Sequence, residues 1–185
     1  MIRQAIPGDA PKAIPLILEA IGSIAFILTG TTERKEAASI LEHFFRQGRN
    51  RVSYQNTLVL EEDGQVVGIA LVYDGAKARE LDKPLERAAL KKSGIPNYRI
   101  PTEADESEFY LDTVSVSPIC QGRGYGGKLI EAACQRGREQ GHHRIALLVN
   151  LSNAGAKRLY ERLGFSVAGT KSIREEEYFH MVRGL

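Results

Sequence analysis

The sequence has little of three features that would each point to a particular class of protein. It has only two cysteines, Cys120 and Cys134, with no histidines at ligand spacing, so we expect packing residues in a reducing compartment and no metal site. The formal net charge is only +2, too small for the strongly basic face typical of nucleic-acid binding. No apolar run approaches the roughly 18 residues that a membrane-spanning helix needs, so we expect no membrane partner.

The beginning of the chain also lacks a targeting pattern. The segment MIRQAIPGD does not have the charged and then apolar layout of a signal peptide, so the expected location is the cytoplasm. With 185 residues, of which 43% are hydrophobic, the chain fits one compact domain with a real core. We therefore expect residues 1–185 to form a single domain.

Hydrophobic periodicity predicts a mixed succession of strands and helices. The predicted strands cover residues 2–6, 56–62, 65–73, 108–117, 144–149, 165–170 and 178–183. The predicted helices cover residues 9–28, 33–47, 79–93, 126–140 and 153–163. The order is β-α-α-β-β-(insertion)-β-α-β-α-β-β, which indicates an α/β fold with a mixed sheet and helices packed on its faces.

Two segments interrupt the regular pattern. The dipeptide Asp63-Gly64 separates two β-rich runs and is typical of a two-residue hairpin turn. Between residues 74 and 107 the pattern loosens around one short predicted helix and an acidic stretch, TEADESE. We interpret residues 74–107 as an insertion that reaches over a site.

The stretch QGRGYGGK, residues 121–128, carries four glycines in eight residues. Its G-x-x-x-x-G-K spacing matches the core of the ATPase phosphate loop, but Leu129 and Asn150 stand where such a loop needs a hydroxyl and an aspartate. A flexible turn is a second interpretation. A third is a loop whose backbone N–H groups bind a phosphate chain at the positive N-terminus of the next helix, with added charge from Arg123 and Lys128.

Two motifs make the chain resemble the GNAT N-acetyltransferases. The segment VSVSPICQGRGYGGKLI is similar to the family's cofactor-binding pattern Q/R-x-x-G-x-G/A, matched by Gln121, Gly124 and Gly126. The segment NAGAKRLYERLGF is similar to N-x-x-A-x-x-x-Y-x-x-x-G-F, matched by Asn153, Ala156, Tyr160, Gly164 and Phe165. The two motifs follow in the family's order, and the predicted elements agree with the family's fold from end to end.

The resemblance implies acetyl-CoA as cosubstrate and no metal. The pyrophosphate would lie on the backbone of residues 121–127, and the strand ending in Val114, Ser115 and Val116 would pair with the pantetheine arm like an added strand. The implied cofactor-binding residues are Val114, Ser115, Val116, Gln121, Gly122, Arg123, Gly124, Tyr125, Gly126, Gly127, Asn153 and Tyr160. Asn153 could equally cap its own helix. The protein could be a monomer or a homodimer.

Acetyl transfer to an amine needs a base, a polarised carbonyl and a proton for the departing thiolate. Helical spacing alone favours Tyr160 as a core tyrosine, whereas the resemblance implies a general acid beside the sulfur. Strand alternation puts Glu108 and Asp112 on one face, so either could accept the ammonium proton through a water; a solvated strand end is the alternative for Glu108. The resemblance implies a backbone N–H of Val114 or Val116 as the donor to the carbonyl oxygen.

The acidic residues before the central strand bear on the acceptor. If Glu103, Asp105, Glu106 and Glu108 line the mouth of the site, they would attract a cationic amine, although charged loops are normally solvated surface. The acceptor could be a small amine or a peptide amine. A different class of function also stays open: a coenzyme A binding module that senses acyl-CoA without turnover, which would keep the loop and lose the chemistry.

Overall fold

A seven-stranded sheet with helices on both faces forms the framework of the computed structural model, which describes all 185 residues. The strands are β1 (Ile2–Gln4), β2 (Thr57–Glu62), β3 (Gln65–Asp74), β4 (Phe109–Val116), β5 (Arg144–Asn150), β6 (Ser166–Ile173) and β7 (Glu176–Gly184). The helices are α1 (Ala10–Ile21), α2 (Ile24–Thr29), α3 (Arg34–Phe45), α4 (Ala78–Ser93), α5 (Tyr125–Glu139) and α6 (Ala154–Arg162). This architecture confirms the predicted α/β fold class.

Strand alternation divides the buried side chains between the two faces of the sheet. On β3, Ile69 and Leu71 pack with α1 to α4, whereas Ala70 and Val72 pack with α5 on the other face. Because both faces of the central strands are covered, these strands read as continuous apolar runs in the sequence. The free thiols Cys120 and Cys134 are buried, as expected for packing residues. None of the helices has the length and apolar character of a bilayer-spanning segment.

The prediction of one helix over residues 9–28 is wrong, because two helices occupy that segment. Gly22 ends α1 with a φ of +52°, and its N–H donates to the carbonyl of Leu18 at 3.1 Å. This conformation, with positive φ and a ψ of −122°, is one that glycine adopts without steric cost, and it redirects the chain so that α2 starts two residues later. The first half of the chain therefore has three helices between β1 and β2.

The hairpin prediction at Asp63-Gly64 is confirmed. Both residues have positive φ, +49° and +73°, as a type I′ turn requires. The last two strands are longer than predicted and meet at a turn of Arg174 and Glu175. The polar residues at the ends of these strands give no apolar alternation in the sequence, because β6 is an edge strand with most of its residues exposed.

The sheet opens between β4 and β5, the two parallel strands at its centre. The order is β1-β2-β3-β4-β5-β7-β6, and every other neighbouring pair is antiparallel. β4 and β5 pair only at Phe109 with Ile145 and at Tyr110 with Ala146. Beyond these pairs the strands diverge, because β4 continues along β3 while β5 follows β7 over its whole length. The divergence leaves one edge of β4 without a partner strand.

Candidate active site

A cleft of about 360 Å³ lies at the opening between β4 and β5. Thr113 and Val114 line it from β4, and Val149 and Asn150 line it from the end of β5. The α6 residues Ala156 and Tyr160 close one side, with Asn153 just before the helix. The cleft therefore brings together Val114 of β4, three residues of the second sequence motif and the end of β5, whereas residues 121–127 do not line it.

The unpaired edge of β4 presents backbone hydrogen-bonding groups to this opening. Ser117 donates its N–H to the carbonyl of Val67 on β3, at 2.8 Å. Since strand N–H groups alternate in direction, those of Val114 and Val116 point away from β3 and towards the opening. The carbonyl of Val116 accordingly accepts a hydrogen bond from Gln121 Nε2 at 3.1 Å. Ser115 lies between them and pairs with Ile69 of β3.

The glycine loop leaves a row of backbone donors without acceptors. Gly122 and Gly124 have φ of +78° and +75°, and Gly124 precedes the first turn of α5. The six N–H groups of residues 122–127 have no acceptor within the chain. A Cβ atom placed on Gly122, Gly124 or Gly126 would meet nothing within 4 Å. Free donors, open space and a helix N-terminus together form a suitable binding site for a phosphate chain.

The side-chain charges of the loop are partly neutralised. Arg123 forms an ion pair with Glu62 at 3.3 Å, and the Tyr125 hydroxyl contacts the same carboxylate. The ammonium of Lys128 lies 5.4 Å from the centre of the Tyr125 ring, in a cation–π contact. The backbone N–H groups and the Lys128 ammonium, which has no ion pair, are thus the groups that the loop leaves free for an anion.

Tyr160 lies in the cleft with a free hydroxyl. Its ring packs edge-on against Phe165, with ring centres 5.7 Å apart, and its hydroxyl has no hydrogen-bond partner in the chain. Burial raises the pKa of Tyr160 above its usual value, so the phenol keeps its proton at neutral pH. Asn153 caps α6 by accepting the N–H of Ala156 at 3.0 Å, and it also lines the cleft.

Asp112 also lines the cleft, but it belongs to a buried charge cluster that the sequence analysis missed. Its Oδ2 accepts hydrogen bonds from Arg51 Nε at 2.7 Å and from the Tyr73 hydroxyl at 2.8 Å. Its Oδ1 accepts from Thr113 at 2.8 Å. We use the name Arg51 cluster for these ionisable groups and three more that contact them. Its members are Arg51, Tyr73, Asp82, Glu103, Tyr110 and Asp112, and the Tyr110 hydroxyl donates to Glu103 at 2.9 Å.

Arg51 holds three carboxylates from distant parts of the chain. Its side chain is only 4% exposed and contacts Asp112, Glu103 at 2.7 Å and Asp82 at 3.7 Å. Burial alone would lower the pKa of Arg51, but Asp112 and Glu103 raise it overall, so the guanidinium stays charged. No local pattern marks Arg51, because its partners lie on α4, β4 and the segment between them. The cluster therefore has one positive charge against three acidic groups.

The structure does not bring Glu108 into the cleft, nor the acidic stretch as a whole. Glu108 precedes β4 and is buried, 3.1 Å from His180 and 3.7 Å from Arg144, so it is not a solvated strand end. Asp105 pairs with Lys171 at 2.6 Å, and Glu106 is exposed. Glu103 alone of these four lines the cleft, because Arg51 draws its side chain inward.

Asp82 makes the stability of the protein depend on pH. Burial raises the pKa of Asp82 from 3.8 to about 6, and its Oδ1 has no hydrogen-bond partner. Because the folded pKa is raised, the stabilising proton is fully bound below about pH 4 and is lost as the pH rises through about 6. We expect Asp82→Asn to match the wild type at pH 4 and to exceed its free energy of unfolding at pH 8 by about 3 kcal/mol.

Urea unfolding of both proteins between pH 4 and pH 8 measures this difference. Comparing the two proteins at each pH cancels the titration of all other groups. A difference that stays constant across this range would contradict the assignment to Asp82.

Comparisons with known proteins identify the family of the chain. The sequence model of the Acetyltransferase (GNAT) family matches residues 25–165. A solved acetyltransferase structure is 31% identical, covers 100% of this chain and 98% of its own, and superposes with a TM-score of 0.82.

Two curated relatives match shorter segments. A mycothiol acetyltransferase of Corynebacterium aurimucosum is 48% identical over 55 residues, 30% of this chain and 18% of its own length. A 5-NmdU N-acetyltransferase of Pseudomonas phage PaMx11 is 39% identical over 72 residues, 39% of this chain and 49% of its own length. The chain thus spans less than half the length of either of these relatives.

Proposed function

Because the chain belongs to the GNAT acetyltransferase family, we propose that it moves an acetyl group from acetyl-CoA to a primary amine by direct attack in a ternary complex. The observation that carries the proposal is the row of six free backbone N–H groups at residues 122–127, which follows the β4 strand that lines the cleft containing Tyr160. One site thus has donors for a phosphate chain and a proton donor for a leaving group. The continuous sheet from residue 2 to residue 184 supports a single domain.

The proposed cosubstrate site follows β4 and the glycine loop. The pyrophosphate binds to the N–H groups of residues 122–127, where each hydrogen bond to a charged oxygen contributes roughly 1.5–3 kcal/mol. The pantetheine arm pairs with the free edge at Val114 and Val116, as an added strand does. Asn153, beside the cleft, is a further polar contact. This arrangement directs the thioester towards Tyr160.

In the proposed reaction, the amine nitrogen forms a bond to the thioester carbonyl carbon, and the carbon–sulfur bond breaks. Negative charge that develops on the carbonyl oxygen is stabilised by the N–H of Val114, which points into the opening. The departing thiolate takes the phenolic proton of Tyr160, which then regains a proton from solvent. The ammonium nitrogen loses one proton before it attacks and a second as the amide forms, and the second offsets the proton that Tyr160 regains. The products are an amide, free coenzyme A and one net proton.

Asp112 is the proposed acceptor of that ammonium proton, through a water. Of the two carboxylates predicted as the base, Asp112 lines the cleft and Glu108 does not. Arg51, Tyr73 and Thr113 hold its two oxygens, so its position is fixed before the amine enters.

The proposal is tested by thiol release from acetyl-CoA across a panel of amines, beside binding titrations with coenzyme A and with Mg-ATP. Thiol release that depends on both the enzyme and an amine is the expected result. Coenzyme A binding without release for every amine would favour the sensing module. Binding of Mg-ATP with no binding of coenzyme A would overturn the proposal.

A substitution in the glycine loop tests the proposed cosubstrate site directly. Gly126 lies in the first turn of α5 without positive φ, and a side chain there would meet open space in the free protein. We expect Gly126→Val to fold normally but to weaken coenzyme A binding about 10- to 100-fold, because the side chain occupies the phosphate position.

Gly169→Val is the matched control for this substitution. Gly169 is on the exposed edge strand β6 and is also surrounded by open space. Calorimetric titration of both variants with coenzyme A measures the effect. Equal affinity of the two variants would contradict the assignment of the loop.

A further inference from the structure

A second cavity continues the cleft to the protein surface. It has a volume of about 520 Å³ and lies between α2, residues 100–103 and the turn from β6 to β7. It shares four residues with the cleft: Ile24, Glu103, Ile173 and Tyr178. We call the two cavities together the acceptor passage. It leads from the surface to the opening between β4 and β5.

The walls of the acceptor passage are mainly apolar. Ile24 and Ile27 line it from α2, Ile100 lines it from the segment after α4, and Ile173 lines it from the end of β6. An acceptor in the passage would therefore lose hydration where it contacts these side chains. Only an acceptor with an apolar body gains free energy from such burial.

The charges of the passage are mostly negative. Glu103 and Asp112 lie in its inner part, and Glu175 and Glu176 lie at its mouth. Two cations face them: Arg174 at the mouth and Arg51, which already holds three carboxylates. Apolar walls strengthen the resulting negative potential, because field lines are screened less there than in bulk water.

Glu103 is the carboxylate at the junction of the two cavities, and its position is fixed. One oxygen accepts from Arg51 at 2.7 Å and the other accepts from the Tyr110 hydroxyl at 2.9 Å. Lys171 donates to its backbone carbonyl at 2.8 Å. Each carboxylate oxygen can accept a second hydrogen bond. The side chain is 14% exposed, so this remaining capacity faces the passage.

We propose that the acceptor is an amine with a second positive charge, and that Glu103 binds this second charge. The reacting nitrogen lies in the cleft near Tyr160 and Asp112, the apolar spacer packs against Ile24 and Ile173, and the distal cation contacts Glu103. The inference rests on the acetyl transfer proposed above. A second cation compensates the excess negative charge of the passage, whereas a neutral end does not and a carboxylate end adds to it.

Three acceptors with the same three-methylene spacer test the inference: 1,3-diaminopropane, butylamine and 4-aminobutanoate. They share a reacting amine and differ only in the distal group, which is an ammonium, a methyl group or a carboxylate. We expect kcat/KM for the diamine to exceed that for butylamine at least tenfold, with the lowest value for 4-aminobutanoate. The advantage of the diamine should decrease as the salt concentration rises.

Glu103→Gln tests the assigned residue. It keeps the size of the side chain but removes the charge and replaces one accepting oxygen with an NH2 donor. It should therefore raise KM for the diamine about 10-fold and leave KM for butylamine nearly unchanged. Glu106→Gln is the matched control, because Glu106 is exposed and lines neither cavity. The diamine preference should persist in that control.

The outcomes separate the inference from the function on which it rests. Equal kcat/KM for the diamine and butylamine in the wild type would overturn the inference and leave acetyl transfer standing. A diamine preference that survives in Glu103→Gln would overturn the assignment to Glu103. Coenzyme A binding with no thiol release for any amine would overturn the proposed function, and the inference with it. The comparison of acceptors in the wild type does not depend on how well the variant folds.

Discussion

Replacing Tyr160 with phenylalanine is expected to lower kcat about 10²- to 10⁴-fold and to leave the Kd for coenzyme A unchanged. The substitution deletes the proton that the departing thiolate needs, while the edge-on contact with Phe165 remains. The hydroxyl has no partner in the chain, so its removal leaves no buried group unsatisfied. Thiol-release kinetics and coenzyme A titration measure the two quantities.

The pH dependence separates a proton donor from a packing residue. Because burial raises the pKa of Tyr160, the wild type should keep its activity well into the alkaline range and lose it as the phenol ionises. Tyr54→Phe is a suitable control, since Tyr54 lies before β2 and does not line the cleft. If Tyr160→Phe retains the kcat of the wild type, then Tyr160 has only a packing role.

Arg51→Met should lower the free energy of unfolding at pH 7 by about 3–5 kcal/mol, the usual cost of removing one partner from a buried ion pair. Methionine fills much of the same volume, so the loss comes chiefly from the charge. Asp112 and Glu103 would then be left without a cation, and Asp82 would lose its nearest positive neighbour. Urea unfolding monitored by circular dichroism measures the change.

Arg138→Met is the control: Arg138 pairs with Glu131 at 3.4 Å, but both side chains are exposed. Such surface pairs typically contribute less than about 1 kcal/mol. Equal effects of the two substitutions would contradict a stabilising role of Arg51 in the cluster.

Much of the fold could be predicted because its signals are local. The type I′ turn at Asp63-Gly64, the apolar run of β5 and the stripe of α3 each depend on neighbours within a few residues. The break at Gly22 was missed because the apolar pattern continues across it into α2. A single glycine inside a helical pattern is ambiguous until its φ is known.

The residues of the site could be predicted only where they lie within one short segment of the sequence. The glycine loop and the motif around Tyr160 are short, so the sequence alone identified both. The Arg51 cluster is different, because Arg51 contacts residues 52 and 61 positions away. Such contacts arise from the packing of α4 and β4 around one irregular segment, and no periodic pattern in the sequence indicates them. The same contacts decided which acidic residue faces the cleft.

The two buried cysteines determine how the enzyme can be assayed. Thiol reagents attack the thiolate, and burial both shields Cys134 and raises its pKa; Cys120 is only 5% exposed. In the native protein, a colorimetric reagent should therefore report coenzyme A released in turnover, with little background from the polypeptide. After unfolding, the same reagent should label two thiols per chain. One reagent can thus follow turnover in the folded enzyme and count unfolded molecules in the same preparation.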